Sequence, residues 1–164
     1  DSSQSRGLGD VYKRQRFNVM ACVGNKDGYV GLAMAKGKEV AQTIRKALTA
    51  AKLNIIQIQR GNGSWESSVG PGTSVPFKVQ GQAGSTRVTL MPAPAGKGLV
   101  IGETGKRVLA LAGVSDVLSR TKGQTRTTIN YAAATFNALA AINRTRVSDS
   151  QRTELFIHKG RLLE

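Results

Sequence analysis

The sequence is poor in the residues that build metal centres and disulfide frameworks. Its 164 residues include one cysteine, Cys22, and one histidine, His158. A disulfide within the chain needs two cysteines, and structural zinc sites draw their ligands mostly from cysteine and histidine. The scarcity therefore excludes an internal disulfide and a cysteine-rich zinc site, and we expect neither a metal nor a cofactor. Cys22 lies in an apolar strand pattern and is expected to pack as a small hydrophobic side chain.

Long apolar runs and aromatic residues are also scarce. No apolar run approaches the roughly 20 residues of a membrane span, and the N-terminus has no apolar signal core. We therefore expect no membrane partner and a cytoplasmic location. Aromatic residues make up 5% of the chain, which disfavours a protein that binds single strands by stacking bases on aromatic side chains. Catalysis by a histidine pair is excluded too, because His158 has no second histidine to work with.

Acidic residues number 10 against 24 lysines and arginines, so the net charge is +14. When the chain is split at Gly72, the first part carries 11 basic and 5 acidic residues and the second part 13 and 5. Positive charge spread over a whole chain is typical of a folded protein that contacts a polyanion, and nucleic acid is the commonest such partner. The alternative is a soluble protein with a basic surface and no polyanionic partner.

The first part of the chain has the pattern of a β-hairpin, a helix and a third strand. Alternating apolar residues predict strands from Phe17 to Val23 and from Val30 to Met34, joined by a tight turn at Asn25–Gly28. The second strand has a face of glycine and alanine, against which a helix or an RNA backbone could lie closely. A helix is predicted over residues 38–53 and a strand over 54–60. The helix carries one apolar stripe that we expect to be buried, formed by Val40, Ile44, Ala47, Leu48 and Ala51.

Composition divides the chain into five parts. A glycine-rich stretch at residues 63–72 is the predicted linker. Trp65 in this linker either packs as a plug between two modules or offers a stacking platform to a base. The predicted parts are a disordered or foreign leader (1–15), a first module (16–62), the linker (63–72), a second module (73–147) and a basic tail (148–164) that we expect to be a mobile arm.

The second module is predicted to alternate strands with helices. Helix periodicity and the cap glycine Gly113 set the end of its first helix. The predicted elements are strands at 75–79, 87–91 and 114–119, a turn at 81–84, a helix at 104–112, a basic loop at 120–128 and a final helix at 128–143.

The stretch Ser85–Gly102 contains a stiff turn that suits an anion. Its prolines restrict the backbone, and the glycines around Lys97 leave backbone amides that we expect to be free. A phosphate-binding P-loop would place a serine or threonine after its glycine–lysine pair. Here Gly98 follows Gly96-Lys97 and Arg107 follows Gly105-Lys106, so the hydroxyl that holds magnesium is missing both times. The dinucleotide-binding glycine spacing also fails by one residue, and the carboxylates are scattered. The sequence therefore indicates a protein that is not an enzyme.

Lysines and arginines occur at the predicted turns and element ends. At such positions they can contact phosphates without disturbing a core. Because aromatic residues are few, duplex or folded RNA, held through its backbone and shape, is the expected partner. The candidates are Lys26, Lys36, Lys38, Lys97, Lys122 and Arg126.

Distinctive segments lie at residues 28–33, 36–40 and 44–48 in the first module and at 75–79, 84–88, 92–98, 111–114 and 123–131 in the second. They resemble the N-terminal and C-terminal modules of the small-subunit ribosomal protein S5 family. Residues 60–66 and 123–131 resemble its archaeal branch more than its bacterial one. The resemblance covers Arg16 to Val147. Cysteines that archaeal relatives tend to carry near the linker are replaced here by Asn62 and Ser67, so no metal is expected there. The family's basic N-terminal helix and glycine loop are also not matched by residues 11–16.

The resemblance implies an α+β fold with a first module of β-β-α-β order, like a double-stranded-RNA-binding domain. A β-α-β-α module with a left-handed crossover would follow. It also implies a non-enzymatic constituent of the small ribosomal subunit that supports assembly and decoding accuracy. Its expected partners are 16S rRNA, ribosomal proteins four and eight, and mRNA near the entry site.

Residue roles follow from the resemblance and from the charge pattern together. The resemblance places Gly98 and Lys106 against ribosomal protein four, and it places the hairpin turn and the basic residues before Phe17 against rRNA. The full set of candidate RNA-binding residues is Arg14, Arg16, Asn25, Lys26, Lys36, Lys38, Arg60, Lys97, Lys122 and Arg126. A rival hypothesis is a small-molecule phosphate enzyme, because nucleotide kinases share the expected architecture of the second module; this rests on fold analogy alone.

Overall fold

The computed structural model describes residues 15–64 and 72–161. The leader up to Arg14, most of the predicted linker with Trp65, and the last three residues lie outside the described residues. In chain order the described elements are β1 (Phe17–Gly24), β2 (Tyr29–Gly37), α1 (Val40–Leu53), β3 (Ile55–Gln57), β4 (Gln59–Arg60), β5 (Val79–Ala83), β6 (Thr86–Pro92), β7 (Leu99–Val100), α2 (Glu103–Ala112), β8 (Val117–Lys122), α3 (Thr128–Arg144), α4 (Asp149–Glu154) and β9 (His158–Lys159).

The first module is the predicted hairpin, helix and third strand. β1 and β2 pair antiparallel along their whole length, with Phe17 opposite Gly37 and Gly24 opposite Val30. β3 adds antiparallel to the other edge of β2, so the sheet order is β1-β2-β3. The order β-β-α-β expected of this module is confirmed.

Helix α1 lies on the glycine and alanine face of β2, but the predicted apolar stripe is only partly correct. Ala47 and Ala51 are buried as expected. Val40, Ile44 and Leu48 are instead 45%, 42% and 39% exposed. The bare strand face explains the difference: a Cβ on Gly31 would overlap the carbonyl oxygen of Ala51, so the helix backbone approaches too closely for large side chains. Small residues therefore occupy the contact and the larger apolar ones turn outward.

The second module contains a four-stranded sheet in the order β5-β6-β8-β7. β5, β6 and β8 are antiparallel neighbours, whereas β7 runs parallel to β8. Antiparallel strands can be joined by a tight turn, but a parallel pair needs a crossover, and α2 provides it between β7 and β8. The left-handedness of this crossover stays a prediction.

Two strand boundaries in this module differ from the predicted ones. The strand predicted at 75–79 runs instead from Val79 to Ala83, and the chain turns at Gly84, whose φ is +58°. Gly81 is not part of the turn; it lies inside the strand because α3 packs directly on it. The strand predicted at 114–119 is β8, which begins at Val117 and extends to Lys122, so part of the predicted basic loop belongs to the sheet.

The two modules share one hydrophobic core. The face of the first sheet that α1 does not cover carries Val30 and Leu32, and these residues belong to the same buried cluster as Leu109 of α2 and Leu139 of α3. The layers are therefore α1, the first sheet, the helices α2 and α3, and the second sheet. Cys22 packs against this cluster as expected, and burial raises the pKa of its thiol.

The tail folds back onto the body, so the prediction of a mobile arm is wrong for its described part. Ser148 begins α4 with a capping box formed with Gln151. β9 then pairs antiparallel with β4, placing His158 opposite Arg60. The strand that receives this tail lies almost 100 residues earlier in the chain, and two-residue strands have too short a pattern to be read from sequence.

Replacing Gly81 by alanine tests how closely α3 packs on the second sheet. A Cβ at this position would overlap the carbonyl oxygen of Ala134 and the amide of Ala138. We expect Gly81→Ala to lower the free energy of unfolding by about 2 kcal/mol, because overpacking forces the helix away from the strand. Urea unfolding measures this, with Gln80→Ala as the control since the Gln80 side chain is exposed. Identical stabilities of the two variants would contradict the close packing.

Candidate nucleic-acid interface

The hairpin turn that carries Lys26 is held by its own residues. The Asn25 side-chain oxygen accepts hydrogen bonds from the amides of Asp27 at 2.8 Å and Tyr29 at 3.1 Å. Lys26 has a φ of +60°, in the left-handed region that few residues other than glycine adopt. The turn is thus fixed locally, and Asn25 has a structural role in it. The Lys26 side chain is exposed.

The same turn is docked on the C-terminal end of α2. The amide of Lys26 donates to the carbonyl of Leu111 at 2.9 Å, and the amide of Gly28 donates to that of Ala112 at 3.0 Å. The last carbonyls of a helix have no partner within it, so the hairpin satisfies two of them. Gly113, with a φ of +84°, ends the helix beside the turn, where a Cβ would overlap the Lys26 carbonyl. The second module therefore holds a basic residue of the first in a defined place.

Lys26 and Lys106 line one hollow, which we call the basic hollow. Its volume is about 550 Å³, and its other lining residues are Leu99, Ala110, Gly113, Val114 and Ser115. The lining includes no carboxylate. The structure thus brings together a residue predicted to contact RNA and one predicted to contact a neighbouring protein.

The glycine turn around Lys97 lies open to solvent. Gly96 and Gly98 have φ values of +86° and +77°, and a Cβ added at either would meet no atom within 4 Å. The Lys97 side chain is exposed. A neighbouring macromolecule could therefore come close to this turn, and the contact expected of Gly98 stays a prediction.

The amides of this turn are not free, contrary to expectation. Asp116 is buried, and its carboxylate accepts hydrogen bonds from the Gly98 amide at 2.9 Å and the Thr73 hydroxyl at 2.6 Å. Burial raises the pKa of Asp116, but the hydrogen bonds from Thr73, Gly98, Ser115 and Gly96 outweigh it and lower the pKa overall. The anion held by the Gly98 amide is the protein's own carboxylate. What the turn offers to a phosphate is the Lys97 ammonium.

A second group of cations occupies the corner between β2 and α1. Lys36, Lys38 and Lys46 line a shallow hollow there, together with Gly37, Glu39, Gln42 and Thr43. Because Phe17 pairs with Gly37, the exposed Arg16 lies at the same end of the sheet. The nine residues of β2 span eight steps of about 3.3 Å, which separate this corner from the hairpin turn by roughly 26 Å. The predicted contacts of the first module therefore form two separate groups.

Arg60 is not a surface contact, and its assignment as an RNA-binding residue is corrected. Only 4% of the residue is exposed. Its Nη2 lies 2.7 Å from Asp27 Oδ1 and also donates to the Gly160 carbonyl at 2.9 Å, while Nη1 donates to the Gly113 carbonyl at 3.2 Å. The guanidinium thus joins the hairpin turn, the end of α2 and the tail. The partners of Arg60 are distant in sequence. Its position at the end of a predicted strand therefore gave no indication that it is buried.

The histidine of the tail belongs to the same region. His158 lies opposite Arg60 in the β4–β9 pair. Burial lowers the pKa of His158, and the nearby Arg60 cation lowers it further. Both effects favour the neutral imidazole, which avoids a second positive charge beside the buried guanidinium.

The remaining candidates, Lys122 and Arg126, lie in the second module. Arg126 is exposed in the loop before α3. Lys122 ends β8 on the face of the sheet that α3 does not cover, where Lys78, Arg87 and Arg120 are its neighbours. Sequence reasoning missed Lys78, Arg87 and Arg120. If the strand predicted at 114–119 had been extended to residue 122, the alternation of Arg120 and Lys122 would have indicated that both lie on one face.

Within residues 15–64 and 72–161 no three side chains from histidine, cysteine, aspartate and glutamate come together as metal ligands. No helix in the described part of the chain has the length and apolar character needed to cross a bilayer.

Comparison with known proteins identifies both modules. Residues 12–59 match the family described as ribosomal protein S5, N-terminal domain, and residues 81–152 match ribosomal protein S5, C-terminal domain. The matches fall on the two structural modules in the order seen along the chain.

Proteins named small ribosomal subunit protein uS5 are similar over most of the chain. The relative from Methanothermobacter thermautotrophicus is 50% identical over 143 residues, covering 87% of this chain and 66% of the relative. That from Methanocaldococcus jannaschii is 49% identical over 151 residues, covering 92% and 70%. That from Methanospirillum hungatei is 50% identical over 147 residues, covering 90% and 72%. The chain thus spans about two thirds of the length of these archaeal relatives.

Removing the partner of the buried Arg60 should destabilise the fold. Asp27→Ala leaves the guanidinium without its carboxylate, and we expect the free energy of unfolding to fall by about 3 kcal/mol. The matched control is Glu103→Ala, which breaks the largely exposed pair between Glu103 and Arg107 in the first turn of α2 and should cost less than about 1 kcal/mol. Adding Arg60→Met to Asp27→Ala should recover part of the loss. Equal stabilities of Asp27→Ala and the control would contradict this account.

The hydrogen bonds to Asp116 predict a pH-dependent contribution to stability. At pH 7, Asp116→Asn should lower the free energy of unfolding by about 2 kcal/mol, since hydrogen bonds to a charged acceptor are lost. The folded pKa of Asp116 lies below its ordinary value of 3.8. The contribution is therefore complete above 3.8 and disappears as the pH falls through the lowered folded pKa. Urea unfolding at successive pH values should show the two proteins converging in acid; a constant gap would contradict the assignment.

Proposed function

The chain belongs to the ribosomal protein S5 family, and from that premise we propose that it is a structural constituent of the small ribosomal subunit. It binds rRNA and neighbouring ribosomal proteins and catalyses no reaction. In this proposal the RNA is 16S rRNA, and the protein supports subunit assembly and decoding accuracy in the cytoplasmic ribosome.

The observation that carries the proposal is the way the fold holds its exposed cations. The Lys26 backbone is bonded to the end of α2, and Lys97 stands on a turn bonded to Asp116. Lysines on fixed backbone need less ordering when they bind phosphate than lysines on mobile loops. Both positions lie at element ends and are exposed, so they suit the backbone of folded RNA better than a small-molecule pocket.

The first module supplies two contact regions for rRNA. The hairpin turn and the corner between β2 and α1 are about 26 Å apart along β2. Domains of the double-stranded-RNA-binding type contact a duplex at successive grooves and at the phosphates between them. We assign Lys26 to one such contact and Arg16, Lys36 and Lys38 to the other.

Protein partners are assigned to the side of the second module that carries Gly98 and Lys106. Because the space beside Gly98 is empty and Lys106 lines the adjacent basic hollow, a protein surface can approach both. We propose that this side faces ribosomal protein four, that ribosomal protein eight contacts the same module, and that mRNA passes near its entry site. The rival hypothesis of a phosphate enzyme gains no support, because the Gly98 amide already bonds Asp116.

Salt-dependent binding to 16S rRNA tests the proposal. Each phosphate neutralised by a lysine or arginine releases counterions, which contributes roughly −0.9 to the slope of log K against log salt concentration in a duplex. We expect the full chain to show a slope of several units. We also expect Lys97→Ala to make this slope shallower by about one unit.

Lys159→Ala is the control, since Lys159 is exposed on β9 and has no assigned contact. The same pair of variants can be compared for incorporation into reconstituted small subunits, where Lys97→Ala should be the weaker. A slope near zero for the unmodified chain would overturn the proposed function. Equal behaviour of the two variants would remove Lys97 from the interface.

A further inference from the structure

The second sheet has one covered and one open face. Val79, Val88 and Leu90 point toward α3 and are buried. The alternate residues of β5, β6 and β8 point the other way, and within the described part of the chain no helix covers them. We call this surface the open sheet face and define it by Gln80, Arg87, Thr89, Met91, Arg120 and Lys122, with Lys78 at its margin.

The open sheet face carries concentrated positive charge. Arg87 stands directly opposite Lys122 in the β6–β8 ladder, and Arg120 lies two residues before Lys122 on the same strand. A shallow depression of about 270 Å³ is lined by these three residues together with Lys78, Gln80, Thr89 and Met91. No carboxylate is among them. None of the ion pairs found in the described residues involves a cation of this face.

This arrangement opposes stability in the isolated chain. Like charges that stand directly opposite each other on neighbouring strands are destabilising. Arg87 bonds a neutral partner, since its Nε donates to the side-chain oxygen of Gln82 at 3.2 Å, and it forms no ion pair among the described residues. An anionic ligand would supply the compensation that the fold does not.

We propose that the open sheet face binds the sugar-phosphate backbone of folded RNA, as a contact surface separate from the basic hollow. This inference rests on the proposed function and adds to it a surface and a set of residues. Cross-strand neighbours lie about 5 Å apart and alternate residues about 7 Å apart. The cations therefore form a compact group that can contact neighbouring phosphates.

The chemistry of the face favours an RNA backbone over other anionic partners. Protein interfaces take much of their binding energy from aromatic and large apolar anchors. On this side of the sheet the apolar side chains, Met91, Leu118 and Val100, are grouped at the β7 end, and the part defined above contains Met91 alone among them. Single-stranded RNA is read on sheets by stacking bases on aromatic rings, and the defined face contains none. What remains is recognition by charge, with threonine and glutamine as hydrogen-bonding groups.

The position of the face gives the contact a consequence for assembly. The helices α2 and α3 separate the second sheet from the first. The open sheet face therefore looks away from the first sheet and from α1. RNA bound there would be a different segment from the RNA bound at the corner between β2 and α1, so the chain would hold two segments of folded RNA on opposite sides.

The test compares two triple variants with equal loss of charge. The face variant is Arg87→Gln, Arg120→Gln and Lys122→Gln. The control is Lys52→Gln, Arg152→Gln and Lys159→Gln, which removes three exposed cations from α1, α4 and β9. Binding of each full chain to 16S rRNA is measured over a range of salt concentrations. We expect the face variant to make the salt slope shallower by two to three units, at about one unit for each lost phosphate contact, and the control to change it by less than one.

Additional measurements separate the possible outcomes. The face variant should unfold at the same temperature as the unmodified chain or slightly above it, because repulsion is relieved, and Lys122→Arg should bind as the unmodified chain does. If the unmodified chain binds with a steep salt slope and both triple variants weaken it equally, the face proposal is overturned while the proposed function stands. A face variant that binds RNA like the control but fails to enter reconstituted subunits would assign the face to a protein, again overturning the proposal. If the unmodified chain shows no salt-dependent binding to 16S rRNA, the proposed function itself is rejected.

Discussion

The buried guanidinium of Arg60 is the contact on which the arrangement of the two modules depends. It bonds Asp27 of the first hairpin, the carbonyl of Gly113 at the end of α2, and the carbonyl of Gly160 in the tail. A buried arginine needs several acceptors at fixed distances, since an unpaired charge in the interior is costly. Three segments far apart in sequence are therefore held at one point. Lys26 is adjacent to Asp27, so the same contact also orients the exposed cation that we assign to rRNA.

The protein separates buried from exposed charge. Among the described residues the two buried charged groups are Arg60 and Asp116, and both bond protein atoms, although Arg60 Nε has no partner. The exposed cations have no carboxylates beside them in the basic hollow or on the open sheet face. A surface with this excess of positive charge attracts polyanions. The charge distribution therefore fits a component of a ribonucleoprotein, in which rRNA supplies the missing negative charge.

Local sequence patterns predicted the strands and helices well where the burial of one face of the element was sufficient to determine its structure. Alternation found β1 and β2, and the turn residues at Asn25–Gly28 placed the hairpin correctly. Predictions failed where a neighbour decided the outcome. Gly81 was interpreted as a turn residue but lies under α3, and Leu48 was expected to be buried but is exposed because α1 approaches β2 too closely to accommodate it. Glycine occurs both in turns and where two elements pack closely, so the sequence could not distinguish the two roles.

By itself the sequence determined the positive charge, the scarcity of cysteine and histidine, the order of strands and helices, and the motifs that indicated the family. These depend on composition and on neighbours within a few residues. Only the tertiary structure decided which charges are available to a partner. Arg60 and Lys97 are equally plausible RNA contacts in the sequence. The Arg60 side chain, however, meets acceptors 33, 53 and 100 residues away, whereas the Lys97 side chain is exposed and forms no ion pair among the described residues. Burial is a property of contacts between distant segments, and those contacts exist only when the chain has folded.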